Sequence, residues 1–137
     1  MSKGTDNLLH LLLHAAHGLE DRLEAAFASV ELSSTRYQVL EQLAAAGEPL
    51  ALGELADRAS CVRSNMTQLV DRMEKDGLVR RVGDPDDRRS VRAELTALGR
   101  ERQKQGARQL AAFRKEFAAA LPARDRAALE RLLAALG

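Results

Sequence analysis

Residues Leu52–Arg100 read LGELADRASCVRSNMTQLVDRMEKDGLVRRVGDPDDRRSVRAELTALGR, and the hydrophobic period changes within them. Gly53–Ala59 reads as a short helix. From about Arg63 to Lys75, Met66, Leu69, Val70 and Met73 recur at helical spacing, and Gly77 follows as a helix-terminating glycine. Leu78–Val82 then reads as a short strand and residues 83–87 (GDPDD) as a turn. Residues 90–95 (SVRAEL) alternate like a returning strand. A short helix, a turn, a second helix and a hairpin make a helix-turn-helix followed by a wing.

Upstream, Leu8, Leu12, Ala15, Leu19, Leu23, Ala26 and Val30 recur at steps of three and four, predicting a helix over residues 5–29 with Thr5 or Asp6 as its cap. Ser33, Ser34 and Thr35 offer a cap for a second helix. Tyr37, Leu40, Leu43 and Ala44 form its inner face, and Gly47 and Pro49 end it. Downstream, Thr96 caps a long helix carrying Leu98, Leu110, Phe113 and Phe117. Leu121-Pro122 breaks it, and a last helix carries Leu129, Leu132, Leu133 and Leu136. The expected fold is mostly α, in the order α-α-α-α-β-β-α-α. Residues 33–96 form the winged unit, and 1–32 with 97–137 form the flanks of one domain. Leucine-rich flanks that exceed half the chain need a covering surface, and a second copy supplies it most simply.

The composition is 45% hydrophobic and 30% charged, with three Pro and four aromatic residues, which excludes disorder and disfavours a β-sandwich. A net charge of +1 names no partner. One cysteine makes no intrachain disulfide or zinc cluster and suits a reducing cytoplasm. The apolar run at residues 8–16 contains His10 and His14 and is shorter than the ~20 residues of a membrane span, so no membrane partner is expected. The chain carries no G-x-S-x-G, P-loop, G-x-G-x-x-G or H-E-x-x-H, so no enzyme, catalytic residue or cofactor is expected.

A helix in the major groove shows base edges the side chains near its N-terminal end. On the second helix of the unit these are Arg63, Ser64, Asn65, Thr67, Gln68 and Arg72. Asn and Gln pair bidentately with adenine and Arg with guanine, while Ser64 and Thr67 suit phosphate oxygens. In isolation the same residues describe a solvated helix face; between a short helix and a basic hairpin they read as a recognition surface. Arg88 and Arg89 at the hairpin tip fit a narrow, negative minor groove, the alternative being a surface salt-bridge cluster. Residues 57–92 hold nine Lys/Arg against seven Asp/Glu. So small a surplus requires the acids to be paired or turned away.

Three stretches carry a resemblance: LVDRMEKDGLVRR at 69–81, DPDDRRS at 84–90 and LTALGR at 95–100. In this order and spacing the chain resembles the multiple-antibiotic-resistance regulator (MarR) family of winged-helix transcription factors. The resemblance implies a homodimer binding a pseudo-palindromic double-stranded DNA operator, and a ligand-responsive repressor. It also implies that Asp87 orients an arginine of the wing. A pocket for a small-molecule effector, often a phenolic or aromatic acid in this family, is implied between the dimerisation helices and the winged unit. Tyr37, His14, His17 and Arg36 are its candidates. Two positions depart from the pattern. Asp86 stands where the family often has another arginine, and Val62 stands where a capping Ser or Asp is common; Ser60 or Ser64 can compensate.

Two further features admit a bland and a sharp reading. Cys61 is a core thiol, or a redox-sensitive one activated by the helix start and Arg63. It would be an unusual sensor, since the family's peroxide sensors carry their cysteine in the first helix. His10, His14 and His17, with Asp21 and Glu24, share a helical stripe. They are the polar edge of a dimerisation helix, or a metal- or pH-sensing row. No further His exists to complete a metal site.

Overall fold

The computed structural model describes residues 3–59 and 63–137. The elements are α1 (Lys3–Ala28), α2 (Ser34–Ala46), β1 (Leu50–Ala51), α3 (Leu52–Arg58), α4 (Arg63–Lys75), β2 (Val79–Gly83), β3 (Val91–Leu95), α5 (Ala97–Ala119) and α6 (Ala123–Leu136). The helix order is as expected, although α1 starts at Lys3, ahead of both anticipated caps. Cys61, with Ser60 and Val62, lies outside the described residues, as does the side chain of Arg63.

Local chemistry explains most boundaries. The Ser33 hydroxyl accepts from the Arg36 backbone N–H at 3.2 Å, occupying one orphan donor of α2. Gly47, at φ 67°, closes that helix by donating to the Leu43 carbonyl at 3.1 Å. At the end of α4, Gly77 (φ 79°) donates to Glu74 at 3.0 Å and Leu78 to Met73 at 2.9 Å, the paired bonds of a Schellman turn. The same pattern ends α1 without a glycine. Glu31 adopts φ 60°, Leu32 donates to Phe27 at 2.9 Å, and Arg102 of α5 holds the Glu31 carboxylate at 2.6 Å.

The inner faces of α2 and α4 meet over one core, with Leu40, Leu55, Met66, Val70, Met73 and Leu78 at most 1% exposed. Val39 is buried where Ala44 was expected, and Ala44 is exposed. The expected hairpin is a three-stranded antiparallel sheet in the order β1-β3-β2, in which Leu50 pairs with Ala93 and Ala51 with Arg92. Two residues are too few to show a strand's alternation, which is why β1 escapes a reading by period. The Thr96 hydroxyl donates to the Gly77 carbonyl at 2.6 Å and accepts from the Gly99 N–H at 3.0 Å. One side chain thus caps α5 and fastens it to the turn between α4 and β2.

The flanking helices leave an apolar surface. Leu8 is 66%, Leu132 59% and Leu136 71% exposed, and Leu98 and Phe117 are each 42% exposed. The helix α6 has no extensive packing against any other element. No helix among the described residues is long and apolar enough to cross a membrane.

Candidate nucleic-acid interface

With Met66, Val70 and Met73 turned into the core, the opposite side of α4 faces outward. Ser64, Asn65, Gln68 and Arg72 are exposed there and Thr67 is half-buried. Asn65, Gln68 and Arg72 form one stripe at steps of three and four.

Ion pairs hold this helix against the sheet. The Arg81 guanidinium pairs with Asp71 and lies 3.5 Å from Glu74, and the Arg81 backbone N–H donates to Glu74 at 2.8 Å. Arg80 pairs across the sheet with its register partner Glu94. Arg36 of α2 reaches Asp76, just beyond α4, at 2.6 Å. These contacts sort the charges of the unit. Asp71, Glu74, Asp76 and Asp84 are bound to arginines, whereas Arg72, Lys75, Arg88 and Arg89 have no acid partner among the described residues. Glu41, Glu48, Asp57, Asp86 and Asp87 have no Lys or Arg ion-pair partner among the described residues, and Asp86 and Asp87 belong to the wing turn.

The wing turn is built by two aspartates. Asp84 accepts from the Asp86 N–H at 2.9 Å and from Arg92 at 3.1 Å. Those bonds, the backbone one foremost, hold its carboxyl below the usual carboxylate range. Its contribution is therefore complete above the ordinary carboxylate pKa and is lost as pH falls through its own lower value. Asp87 accepts from the Arg89 backbone N–H at 2.9 Å, so it orients the main chain that carries the arginine and makes no ion pair with the guanidinium. Arg88 and Arg89 are both exposed at the tip.

A cavity of about 640 Å³ lies between α1, α2 and α5, with Leu23, Phe27, Tyr37, Glu41, Gln103 and Arg114 in its wall. Of the four effector candidates only Tyr37 is placed there. Arg36 is engaged by Asp76, and His14 and His17 are exposed on α1. His14 stacks on His10 at 6.2 Å, and His17 lies 3.8 Å from Glu20. The described residues contain no group of three His, Cys, Asp or Glu able to hold a metal. Tyr37 stacks on Phe27 at 4.8 Å and donates to Glu41 at 3.0 Å, and Gln103 donates to the same carboxylate oxygen at 2.7 Å. Glu41, Gln103 and Arg114 were not anticipated, because they meet only when α5 folds back on α2. Gly106 was the legible signal: a glycine inside a helix costs about 1 kcal/mol against alanine and so marks a close approach. A Cβ there would lie 2.5 Å from the Tyr37 ring.

Burial, and secondarily Glu41, push the Tyr37 hydroxyl up from 10.0 to about 12. With the folded value above the unfolded one, the associated stability is intact below about pH 10 and lost between about 10 and 12. Tyr37 is the only tyrosine and there is no Trp, so an ultraviolet titration reads it alone. Tyrosinate should form near pH 12 in the folded chain and near 10 after unfolding in urea.

A short helix, a second helix with its polar face outward and an arginine-tipped hairpin define a winged helix-turn-helix protein. The family model of MarR matches residues 32–91, so this stretch of the chain is similar to the MarR family. It is 36% identical over 85 residues to the uncharacterized HTH-type transcriptional regulator YkoM of Bacillus subtilis (strain 168), an alignment covering 62% of this chain and 51% of YkoM. The chain thus spans about half the length of the curated relatives it matches. Among solved structures, AbsC, a MarR family transcriptional regulator from Streptomyces coelicolor, is 26% identical with a TM-score of 0.83, covering 97% of this chain and 91% of AbsC. A mutant of Escherichia coli MarR complexed with operator DNA has the same fold, with a TM-score of 0.80 at 24% identity, over 95% of this chain and 93% of that one.

Proposed function

We propose that the protein is a transcriptional regulator that binds a pseudo-palindromic DNA operator as a homodimer, as a ligand-responsive repressor in the cytoplasm. The observation that carries this is the sorting of charge. Asp71, Glu74, Asp76 and Asp84 are tied to arginines, while Arg72, Arg88 and Arg89 have no acid partner among the described residues and Asn65 and Gln68 are exposed. Asn65, Gln68 and Arg72, with Arg63 at the helix start, read base edges in the major groove. Ser64 and Thr67 position the helix on phosphates, and Arg88 and Arg89 enter the minor groove. The operator complex of the E. coli protein supports this use of the fold. Binding should weaken steeply with added salt, because each neutralised phosphate releases counterions. Anisotropy titrations of duplex DNA at several salt concentrations, with unrelated DNA as competitor, test the reading. Salt-independent association, or equal affinity for every duplex, overturns it.

Residues 1–32 and 97–137 form the dimerisation region, using the leucines that the single chain leaves exposed. Leu9→Glu combined with Leu136→Glu should give a monomer of unchanged helix content by sedimentation velocity and circular dichroism. A double variant that sediments as a dimer contradicts this assignment. The Tyr37 cavity receives the effector, which acts by preferring one spacing of the two winged units over the other.

A further inference from the structure

All three histidines of the chain lie on one side of α1, where His10, His14 and His17 follow at steps of four and three. His10 and His14 interrupt the otherwise apolar run Leu8–Ala16, in a part of the helix with little cover. Leu8, Leu9, Leu11 and Leu13 are each more than half exposed there. The three imidazoles are not equivalent. His17 is turned toward Glu20, with its Nδ1 3.8 Å from the carboxylate. The His10 and His14 rings instead face each other across one helical turn, with centres 6.2 Å apart and planes inclined by 18°. Both side chains are exposed. No lysine or arginine occurs between residues 4 and 21, so no neighbouring cation in this stretch opposes a second positive charge at the two rings.

We propose that His10 and His14 chelate one divalent transition-metal ion of the copper(II), nickel(II) and zinc(II) class, through one ring nitrogen each. Imidazoles at i and i+4 on one helix face are spaced to share such an ion. With metal–nitrogen bonds of about 2 Å, two rings on one ion have centres at most about 6.5 Å apart. The observed 6.2 Å meets that limit, and rotation about the exposed side-chain bonds closes the pair without moving the helix. No third His, Cys, Asp or Glu completes the group among the described residues, so water fills the remaining positions and the ion is exchangeable. Imidazole suits these ions, whereas magnesium and calcium take oxygen ligands, and affinity should follow copper above nickel and zinc. The bound ion ties together two successive turns of the exposed part of α1. The site is separate from the Tyr37 cavity and requires neither DNA nor a second copy of the chain.

The test is a calorimetric titration of the untagged full chain with nickel chloride, with ¹⁵N amide spectra read alongside. One saturable site per chain is expected, with paramagnetic loss of amide signals centred on residues 10–14. His10→Ala and His14→Ala should each weaken nickel binding about ten-fold or more, because either removes half of the chelate. Both positions are exposed and alanine favours a helix, so the variants keep their fold. His17→Ala, and Cys61→Ser, which removes the one thiol, should leave the affinity within about two-fold. His10→Leu combined with Leu12→His keeps the number of histidines but destroys the spacing, and should weaken binding as His10→Ala does. Excess magnesium chloride should not compete. Undiminished binding by the His10→Ala or His14→Ala variant, an equal loss from His17→Ala, or no saturable binding each overturn the proposal.

Discussion

Replacing Arg88 and Arg89 together with alanine is expected to weaken operator binding by about two orders of magnitude, at roughly ten-fold, or about 1.4 kcal/mol, per arginine. Neither side chain is buried or paired with an acid, so folding should be untouched. The salt dependence should flatten as well, by about 0.9 in log–log slope for each phosphate no longer neutralised. The loss should fall evenly across DNA sequences, since these residues sit outside the α4 stripe. Arg92→Ala is the informative comparison. Arg92 pairs with Asp84 inside the wing, so its removal loosens the turn without deleting a tip charge. Wild-type affinity in the tip variant, measured by anisotropy on the same duplex, would show that the hairpin does not meet DNA.

The largest expected loss of stability comes from Gly99→Ala. A Cβ at Gly99 would stand 2.0 Å from the Leu78 carbonyl oxygen and 3.2 Å from a Leu95 methyl carbon. The oxygen belongs to backbone at the start of the wing, and Thr96 binds the same turn, so nothing nearby can swing aside. We expect about 3 kcal/mol of destabilisation in urea unfolding, the upper end of the usual overpacking range. That is a large part of a typical domain's 5–15 kcal/mol. Gly106→Ala, where the obstacle is the Tyr37 ring, should cost less and bring tyrosinate formation to lower pH as Tyr37 is pushed outward. A Gly99→Ala chain with unaltered unfolding would mean that α5 and the α4–β2 turn are not packed this closely.

How much the sequence discloses depends on how far apart the interacting residues lie. Helix α4 is legible because its stripe, Met66, Val70 and Met73, and its stop, Gly77, are local. The wing is legible from residues 83–89 for the same reason. Two-residue β1 shows no period, and Glu31 occupies a left-handed position that ordinarily signals itself by glycine. Pairing of acids with arginines depends on how β2 lies on α4, which spacing does not fix. Thus Arg36, plausible as an effector ligand, is engaged by Asp76, 40 residues away. The Gln103–Glu41 contact spans 62 residues and exists only through the fold.

The central claim is that the outward stripe of α4 reads base sequence. Its most direct measurement is selection of bound duplexes from a random library by the full chain and by an Asn65→Ala, Gln68→Ala variant. The account predicts a two-fold symmetric site with half-sites about one helical turn (~10 base pairs) apart. It also predicts that the variant retains DNA but flattens preference at specific positions, by ~1–3 kcal/mol per lost base contact. Enrichment of no sequence, or an identical site from both proteins, would contradict it.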